Sequence, residues 1–195
     1  MSGSEKTGVV DGRRLRSERS KQAIVDATLS LMEEGILIPT AQQISDRAGV
    51  GIRSFFRHYE DMDTLFATID SQTRDSTEAL YLGGDREGTL QQRILHAVER
   101  HAEGFEQQKN MILSTAAQLW RSKTLRKNYA RYQRGLRNDL DDWLPELKKL
   151  PRSQREAVDA IASFEVWHRL RYHQGLSKAA AVEVVVGLIN SLVSD

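Results

Sequence analysis

Proline is scarce in this chain, and its scarcity constrains the fold more than any other feature. The 195 residues contain only three prolines, and each stands beside residues typical of a loop. The stretches between them carry helical spacing, as in the i, i+3, i+4, i+7 apolar series from Ile24 to Leu31. No convincing alternation of period two and no internal repeat interrupts this pattern. We therefore predict an all-α protein of about nine helices.

Polar caps and glycines mark the ends of the predicted helices. Thr40 and Gln43 have the spacing of a capping box, and Gly35 suits the left-handed position that ends the preceding helix. The helices are predicted over residues 17–34, 41–47, 52–58, 61–82, 89–108, 110–120, 122–143, 153–174 and 177–193. Further N-caps are predicted at Asp61, Asn110, Ser122 and Ser177, with a second capping box from Ser153 to Glu156.

Composition excludes several classes of protein. The chain has no cysteine, which excludes disulfides, thiolate metal sites and cysteine nucleophiles and fits a cytoplasmic protein. No apolar run is long enough to span a bilayer, and residues 1–12 lack the apolar segment of a signal peptide. The formal net charge is +1, so any affinity for nucleic acid must come from local clustering of charge.

A helix, a short capped helix, a glycine turn and a second short helix follow one another between residues 20 and 65. This is the order of a helix–turn–helix, in which the second short helix enters the major groove and the first braces it. The core that the two short helices share is predicted to contain Ile44, Ala48, Val50 and Phe55. Gly49 permits the sharp turn between them.

The second short helix is rich in side chains that can reach phosphates or base edges. It offers Arg53, Ser54, Phe56, Arg57 and His58. We expect His58 to lie on the polar side of this helix with Ser54, whereas Phe55 and Tyr59 are expected to pack inside.

One colinear block of this region contains four characteristic segments. They are Arg19–Ala27, Gln43–Val50, Ser54–Tyr59 and Asp61–Leu65. Together they resemble the DNA-binding domain of the TetR family of transcriptional regulators. The resemblance implies that the rest of the chain is a helical domain for ligand binding and dimerisation. It gives a disordered tail at 1–12, a three-helix DNA-binding domain at 13–60 and an effector and dimerisation domain at 61–195.

Three positions depart from the family pattern. The family usually has Ser or Thr where this chain has Gly51, Tyr where it has Phe56, and often Lys where it has Met62. Each departure removes a donor directed at phosphate. Arg53 and Arg57 can restore the charge, and a basic run from residue 13 to residue 21 offers more.

The predicted DNA-binding residues come from that run, the start of the first short helix, the second short helix and the residue that opens the next one. They are Arg13, Arg14, Arg16, Thr40, Gln42, Gly51, Ile52, Arg53, Ser54, Phe56, Arg57, His58 and Met62. The partner is double-stranded operator DNA. For the basic run, the alternative to a backbone or minor-groove arm is an ordinary solvated helix start.

Large apolar side chains of the second half are more typical of ordinary core, but the family resemblance favours an effector pocket lined by some of them. The pocket set is Phe105, Met111, Trp120, Trp143, Phe164 and Trp167. His96 and His101 are five residues apart and do not share a helical face, so we predict a solvated helix surface there and no metal site. No catalytic motif is present, and we expect neither an enzyme nor a cofactor.

The last two predicted helices carry more apolar surface than one packing partner needs. Dimerisation is predicted through Val158, Ile161, Val182, Val185, Val186, Ile189 and Val193. The alternative is that the last helix lies at the centre of the monomer's own core.

The function that follows is a transcriptional regulator acting as a homodimer, a repressor released from its operator by a small apolar ligand. Two alternatives stay open at this point. One is a DNA-binding regulator without a small-molecule effector. The other is a helical ligand-binding or interaction protein whose DNA-binding domain has decayed.

Overall fold

The computed structural model describes residues 7–81 and 83–193, with side chains from residue 12 onward. Within that part of the chain the structure is all-helical, with nine α-helices and no strand, as predicted. The helices are α1 Thr7–Glu33, α2 Ala41–Ala48, α3 Ile52–His58, α4 Met62–Ala79, α5 Leu90–Gln118, α6 Lys123–Trp143, α7 Arg152–Ile161, α8 Phe164–His168 and α9 Lys178–Val193. A 3₁₀ turn at Pro145–Lys149 follows α6, and a π-helical turn at Arg169–His173 follows α8.

Most of the predicted caps are confirmed. Thr40 and Gln43 form the reciprocal capping box that opens α2. Side-chain oxygens accept the backbone N–H of the residue three positions later at Asp61 (2.8 Å), Ser122 (3.0 Å) and Ser177 (3.1 Å). Each bond satisfies an amide that the first turn of a helix leaves unpaired.

The first helix begins at Thr7, well before the predicted Ser17. Residues 7–12 of the predicted tail are therefore helical, and residues 1–6 lie outside the described part of the chain. Side chains near the predicted start bond to the helix's own carbonyls: Arg16 Nε donates to Gly12 O (3.2 Å) and Ser20 Oγ to Arg16 O (3.0 Å). The polar residues that were predicted to start the helix therefore lie within it.

Two other helices differ from their predictions. Helix α5 runs unbroken through Asn110, whose Nδ2 donates to Glu33 O (2.7 Å) and so makes a tertiary contact instead of a cap. The predicted 153–174 helix is divided, because Ser163 caps α8 after α7 has ended at Ile161. The second predicted capping box is wrong: α7 begins at Arg152 after Pro151, with no side-chain cap.

The chain forms two compact units. The first contains Met1–Gln72 and Asn110–Asn128, and the second contains Thr73–Lys109 and Tyr129–Asp195. These units divide the chain differently from the predicted domains 13–60 and 61–195. The core of the first unit includes Ile24, Ile44, Phe55, Leu65 and Leu125. Buried residues of the second include Ile94, Trp143, Val158, Phe164 and Ile189.

Candidate nucleic-acid interface

Helices α2 and α3 of the first unit are joined by a turn that depends on glycine. Gly49 ends α2 with φ of 66°, a left-handed conformation that side chains with a Cβ rarely adopt. The next N–H, that of Val50, bonds to Ser45 O at 3.0 Å and closes the turn. Gly51 then precedes α3 and offers no side-chain cap, although its carbonyl accepts the N–H of Ser54 at 2.7 Å and that of Phe55 at 3.1 Å.

The predicted shared core is confirmed. Ile44 and Phe55 are completely buried in the first unit, and Ala48 and Val50 pack against the same cluster. Tyr59 is buried as well, and its hydroxyl donates to Lys21 O in α1 at 3.3 Å. Burial raises the pKa of Tyr59 above its ordinary value, so the hydroxyl remains a donor. These contacts hold α3 firmly against α1 and α2.

The outer side of α3 presents three large side chains to solvent: Arg53, Phe56 and Arg57. Arg57 Nη2 donates to Ser54 Oγ at 2.9 Å, which orients its guanidinium along the helix. The ring of Phe56 stands edge-on to the buried Phe55, with 5.1 Å between ring centroids. Two cations and one apolar ring therefore form the outer surface of a short rigid helix.

The remaining predicted contacts near α3 are less accessible. Ile52, Ser54, His58 and Met62 are half-buried. The Nε2 of His58 is enclosed and has no hydrogen-bond partner among the described residues. Burial, together with the nearby Arg57 and Lys21, lowers the pKa of His58. The ring is therefore uncharged at neutral pH, so His58 is a weaker candidate for phosphate contact than the arginines.

Thr40 and Gln42 are exposed at the start of α2, but both side chains already have partners. The Thr40 hydroxyl accepts Gln43 N at 3.2 Å, and Gln42 Nε2 donates to Asp46 Oδ1 at 2.7 Å. Another cation of this region, Arg47, is held by two bonds to the Glu34 carboxylate at 2.6 and 2.8 Å. Arg47 is thereby committed to a contact within the first unit.

Arg13, Arg14 and Arg16 are exposed along α1. They belong to a continuous helix and not to an extended arm. A helix fits the major groove, which is about 12 Å wide, but not the minor groove at about 6 Å. The minor-groove interpretation of this run is therefore excluded for the helical conformation, and contact with phosphates remains.

The six predicted pocket residues are divided between the two units. Phe105, Trp143, Phe164 and Trp167 are buried in the second unit. Met111 packs against the core of the first unit, and Trp120, also of that unit, is 78 % exposed. The hydrophobicity of these residues predicted burial but not a common site, because their partners are distant in sequence.

Within the second unit, the aromatic cavity lined by Phe105 and Trp167 has a volume of only about 10 Å³. That is room for one water molecule. A larger cleft of about 270 Å³ adjoins it, and it is more polar. Its lining residues are His101, Gln133, Leu136, Leu140, Asp159, Ala160, Ala162 and Ser163.

The prediction of a solvated surface at His101 is wrong. His101 is buried, and its Nε2 lies 3.0 Å from Asp139 Oδ2. The other oxygen of Asp139 accepts Arg86 Nη2 at 2.6 Å. This buried ionic network was missed because its members lie 38 and 53 residues apart in sequence.

The residues predicted for the dimer interface mostly face the monomer's own core. Val158, Val182, Val185, Ile189 and Val193 are buried, Ile161 lines the aromatic cavity, and Val186 is half-buried. The exposed apolar side chains of α9 are instead Val184 (38 %) and Leu188 (44 %), four residues apart on one face. The prediction named the inward face, because α9 is apolar around much of its circumference.

Two kinds of site are absent from the described residues. No group of three or more His, Cys, Asp or Glu side chains there could hold a metal ion. None of the helices in that part of the chain combines the length and the apolar character needed to cross a membrane.

No family model matches the chain, and no curated protein matches it either. Solved structures do match. A candidate transcriptional regulator from Streptomyces coelicolor A3(2) is 20 % identical, with a TM-score of 0.59 over 91 % of this chain and 99 % of that one. A transcriptional regulator from Rhodococcus sp. Rha1 is 17 % identical, with a TM-score of 0.62 over 90 % and 96 % of the two chains. At these identities the likeness shows the fold: the chain is built on the all-helical architecture of these proteins.

Proposed function

We propose that the chain is a DNA-binding transcriptional regulator of the TetR type, a dimeric repressor released from its operator by a small ligand. The observation that carries this proposal is the outer face of α3. Arg53 and Arg57 stand exposed on a short helix whose opposite side is anchored by the buried Phe55. A glycine turn and a capped bracing helix precede it, as a helix–turn–helix requires.

In this function α3 lies in the major groove. A guanidinium can bond both acceptors of a guanine, and Phe56 can contact a thymine methyl group. Gly51, Phe56 and Met62 carry no charged or hydroxyl donor, so phosphate contacts fall to Arg57 and the exposed arginines of α1. The bond from Arg57 to Ser54 reduces the number of rotamers that binding must freeze.

The test is operator selection from a random duplex pool, followed by titration of the selected DNA at several salt concentrations. Arg53→Ala should weaken binding by about 1–3 kcal/mol and relax the preference at one base position if Arg53 reads a base. Arg152→Ala is the matched control, because Arg152 is an exposed arginine of the second unit. A wild-type chain that shows no sequence preference and no salt-dependent binding would overturn the proposal.

The proposed dimer uses the outward face of α9, where Val184 and Leu188 are exposed. A two-fold axis would place this face against its own copy and set two recognition helices on one operator. The double variant Val184→Glu, Leu188→Glu would bury unpaired charge in that interface and should sediment as a monomer. Ile38→Glu, at an exposed isoleucine of the first unit, is the control and should remain dimeric. A wild-type chain already monomeric at micromolar concentration would contradict the dimer.

Release by a ligand requires that the ligand bind the DNA-free state more tightly than the DNA-bound state. In this proposal the effector occupies the second unit and has no chemistry performed on it, so the chain is not an enzyme. Displacement of DNA by the effector, with recovery after dialysis, is the expected behaviour.

A further inference from the structure

We propose that the 270 Å³ cleft of the second unit binds a small organic amine, with the protonated nitrogen at Asp159 and an apolar body against Leu136 and Leu140. The role of this cleft as the effector site rests on the proposed function. Binding of the amine by the cleft does not depend on that function. The cleft is close to the lower end of ligand pockets, which hold roughly 300–1,000 Å³. The aromatic cavity beside it is too small for any such ligand.

Asp159 is the charged group of the cleft. Its only ion-pair partner among the described residues is Arg137, at 3.3 Å from Oδ2. That guanidinium is already held by both oxygens of Glu156, at 2.9 and 3.0 Å. Burial raises the pKa of Asp159 despite Arg137, and its side chain remains 40 % exposed, so the carboxylate can accept a further partner. An ammonium group would add a second positive charge beside Asp159 and form a short charge-assisted hydrogen bond with it.

His101 adds a second polar group to the lining. The buried ring contacts Asp139 through Nε2, and no other hydrogen bond of His101 is formed within the described residues. A carboxylate only accepts, so Nε2 must carry the hydrogen, and in the neutral ring Nδ1 is then an acceptor. Gln133 contributes an amide to the same lining. The Ser163 hydroxyl is already used, since it donates to Ala160 O at 2.6 Å.

The rest of the lining is apolar and selects the body of the molecule. Leu136, Leu140, Ala160 and Ala162 offer no polar side-chain atom. No lysine or arginine belongs to the described lining, and the nearby Arg137 is shared between Asp159 and Glu156, so an anionic ligand would meet the Asp159 carboxylate with no cation of its own. A neutral ligand of the same shape would give the carboxylate no second positive charge. The chemistry therefore favours a cation with an apolar body over either alternative.

The experiment compares three probes of one shape: 2-phenylethylamine, 2-phenylethanol and phenylacetate. Each is titrated into the full chain by calorimetry and by thermal shift. The amine should raise Tm and bind at least about tenfold more tightly than the alcohol, with no binding of the carboxylate. Equal binding of the three probes, or failure of the amine to bind, would overturn the proposal.

Variants locate the binding. Asp159→Asn keeps the shape of the side chain and removes its charge, and should lower affinity for the amine at least about tenfold. Asp142→Asn is the control, an exposed carboxylate outside the lining, and should leave affinity unchanged. Gln133→Leu is a second lining variant that does not depend on Asp159, and it should weaken binding too. Unchanged affinity in both lining variants would place the amine elsewhere and overturn the site.

DNA binding is measured separately in the wild-type chain. Release of operator DNA by the amine supports its role as effector. An amine that binds through Asp159 and leaves the DNA complex intact would overturn the regulatory role and retain the site. Loss of DNA binding altogether, with amine binding intact, would be a failure of the proposed function and not of the cleft.

Discussion

The two compact units satisfy their buried polar groups in different ways. In the described part of the first unit the buried polar side chains are all neutral, and each has a backbone partner: they are Thr28, Ser45, Ser114, Gln118 and Ser122. Thr28 Oγ1, for example, donates to Ile24 O at 2.8 Å, and Ser45 Oγ to Ala41 O at 2.7 Å. Among the described residues of the second unit the buried polar side chains are His101 and Asp139, which contact each other, and Asp139 also bonds to Arg86. The first unit keeps its charges outside, where DNA is proposed to bind, whereas the second encloses charge next to a cleft.

This difference has an energetic consequence. A neutral hydroxyl that bonds to a nearby carbonyl contributes modestly, because water would offer it an equivalent partner. A buried carboxylate and its cationic partner depend on each other. Removing either one leaves the other as a charge that the protein interior cannot solvate. The second unit is therefore expected to be the more sensitive of the two to a single polar substitution.

The largest expected effect is that of Asp139→Ala, which leaves Arg86 and His101 without their shared carboxylate. The free energy of unfolding should fall by about 2–4 kcal/mol, somewhat less than for a fully buried pair, because such pairs lose about 3–5. The expected cost is below that of a fully buried pair because the Arg86 side chain is 34 % exposed and can turn to solvent. Denaturant titration provides the measurement.

Two variants calibrate that result. Ser45→Ala in the first unit should cost about 1 kcal/mol or less, because it removes one neutral hydrogen bond. Asp142→Ala removes an exposed carboxylate 3.6 Å from the same Arg86 and should change stability by less than about 0.5 kcal/mol. If Asp139→Ala lowered the free energy of unfolding no more than Ser45→Ala, the second unit would not be more sensitive to polar substitution than the first, contrary to this expectation.

The first unit could be predicted in detail because its signals are local. A capping box places Thr40 and Gln43 three residues apart, and the turn needs glycine at one position, so both can be read from adjacent residues. The outward direction of Arg53 and Arg57 follows from the helix once Phe55 is assigned to the core. His58 was less predictable, because its partial burial depends on residues that are distant in sequence, and Lys21 of α1 is close enough to influence its pKa.

The second unit was less predictable because its decisive contacts are distant in sequence. Helix α9 is apolar around much of its circumference, so periodicity could not tell the buried Val185 from the exposed Val184. The pairing of His101 with Asp139 joins two different helices, and the sequence around either residue does not indicate its partner. Polar burial of this kind is visible only when the helices have been packed together.

A smaller effect is expected at Thr40 of the first unit, which caps α2 and is also a predicted DNA-binding residue. Thr40→Ala removes the hydroxyl that caps α2 and should lower the free energy of unfolding by about 1 kcal/mol. Thr40→Ser keeps the cap and should retain the stability. Thr40→Asn separates the roles, because its amide oxygen can cap α2 while a direct DNA contact by the hydroxyl would be lost. Equal stability of Ala and wild type would contradict the capping role.

The smallest effect concerns the surface charge of the first unit, at the start of α1. On a helix Arg13 and Arg16 are three residues apart and share a face, whereas Arg14 points to a different one. We expect DNA to contact the shared face. Arg13→Gln and Arg16→Gln should then each reduce the slope of log K against log salt by about 0.9. Between about 50 and 200 mM salt, that amounts to about 3.5-fold in affinity.

Arg14→Gln is the internal control for this geometry. An extended arm, in which all three side chains follow the DNA backbone, would lose a similar slope at each position. The helix instead predicts that Arg14→Gln leaves the slope unchanged, because its guanidinium is directed away from the phosphates that Arg13 and Arg16 approach. Unchanged slopes in all three variants would make the start of α1 an ordinary solvated surface. The contribution of the first unit to DNA binding would then rest on α3 alone.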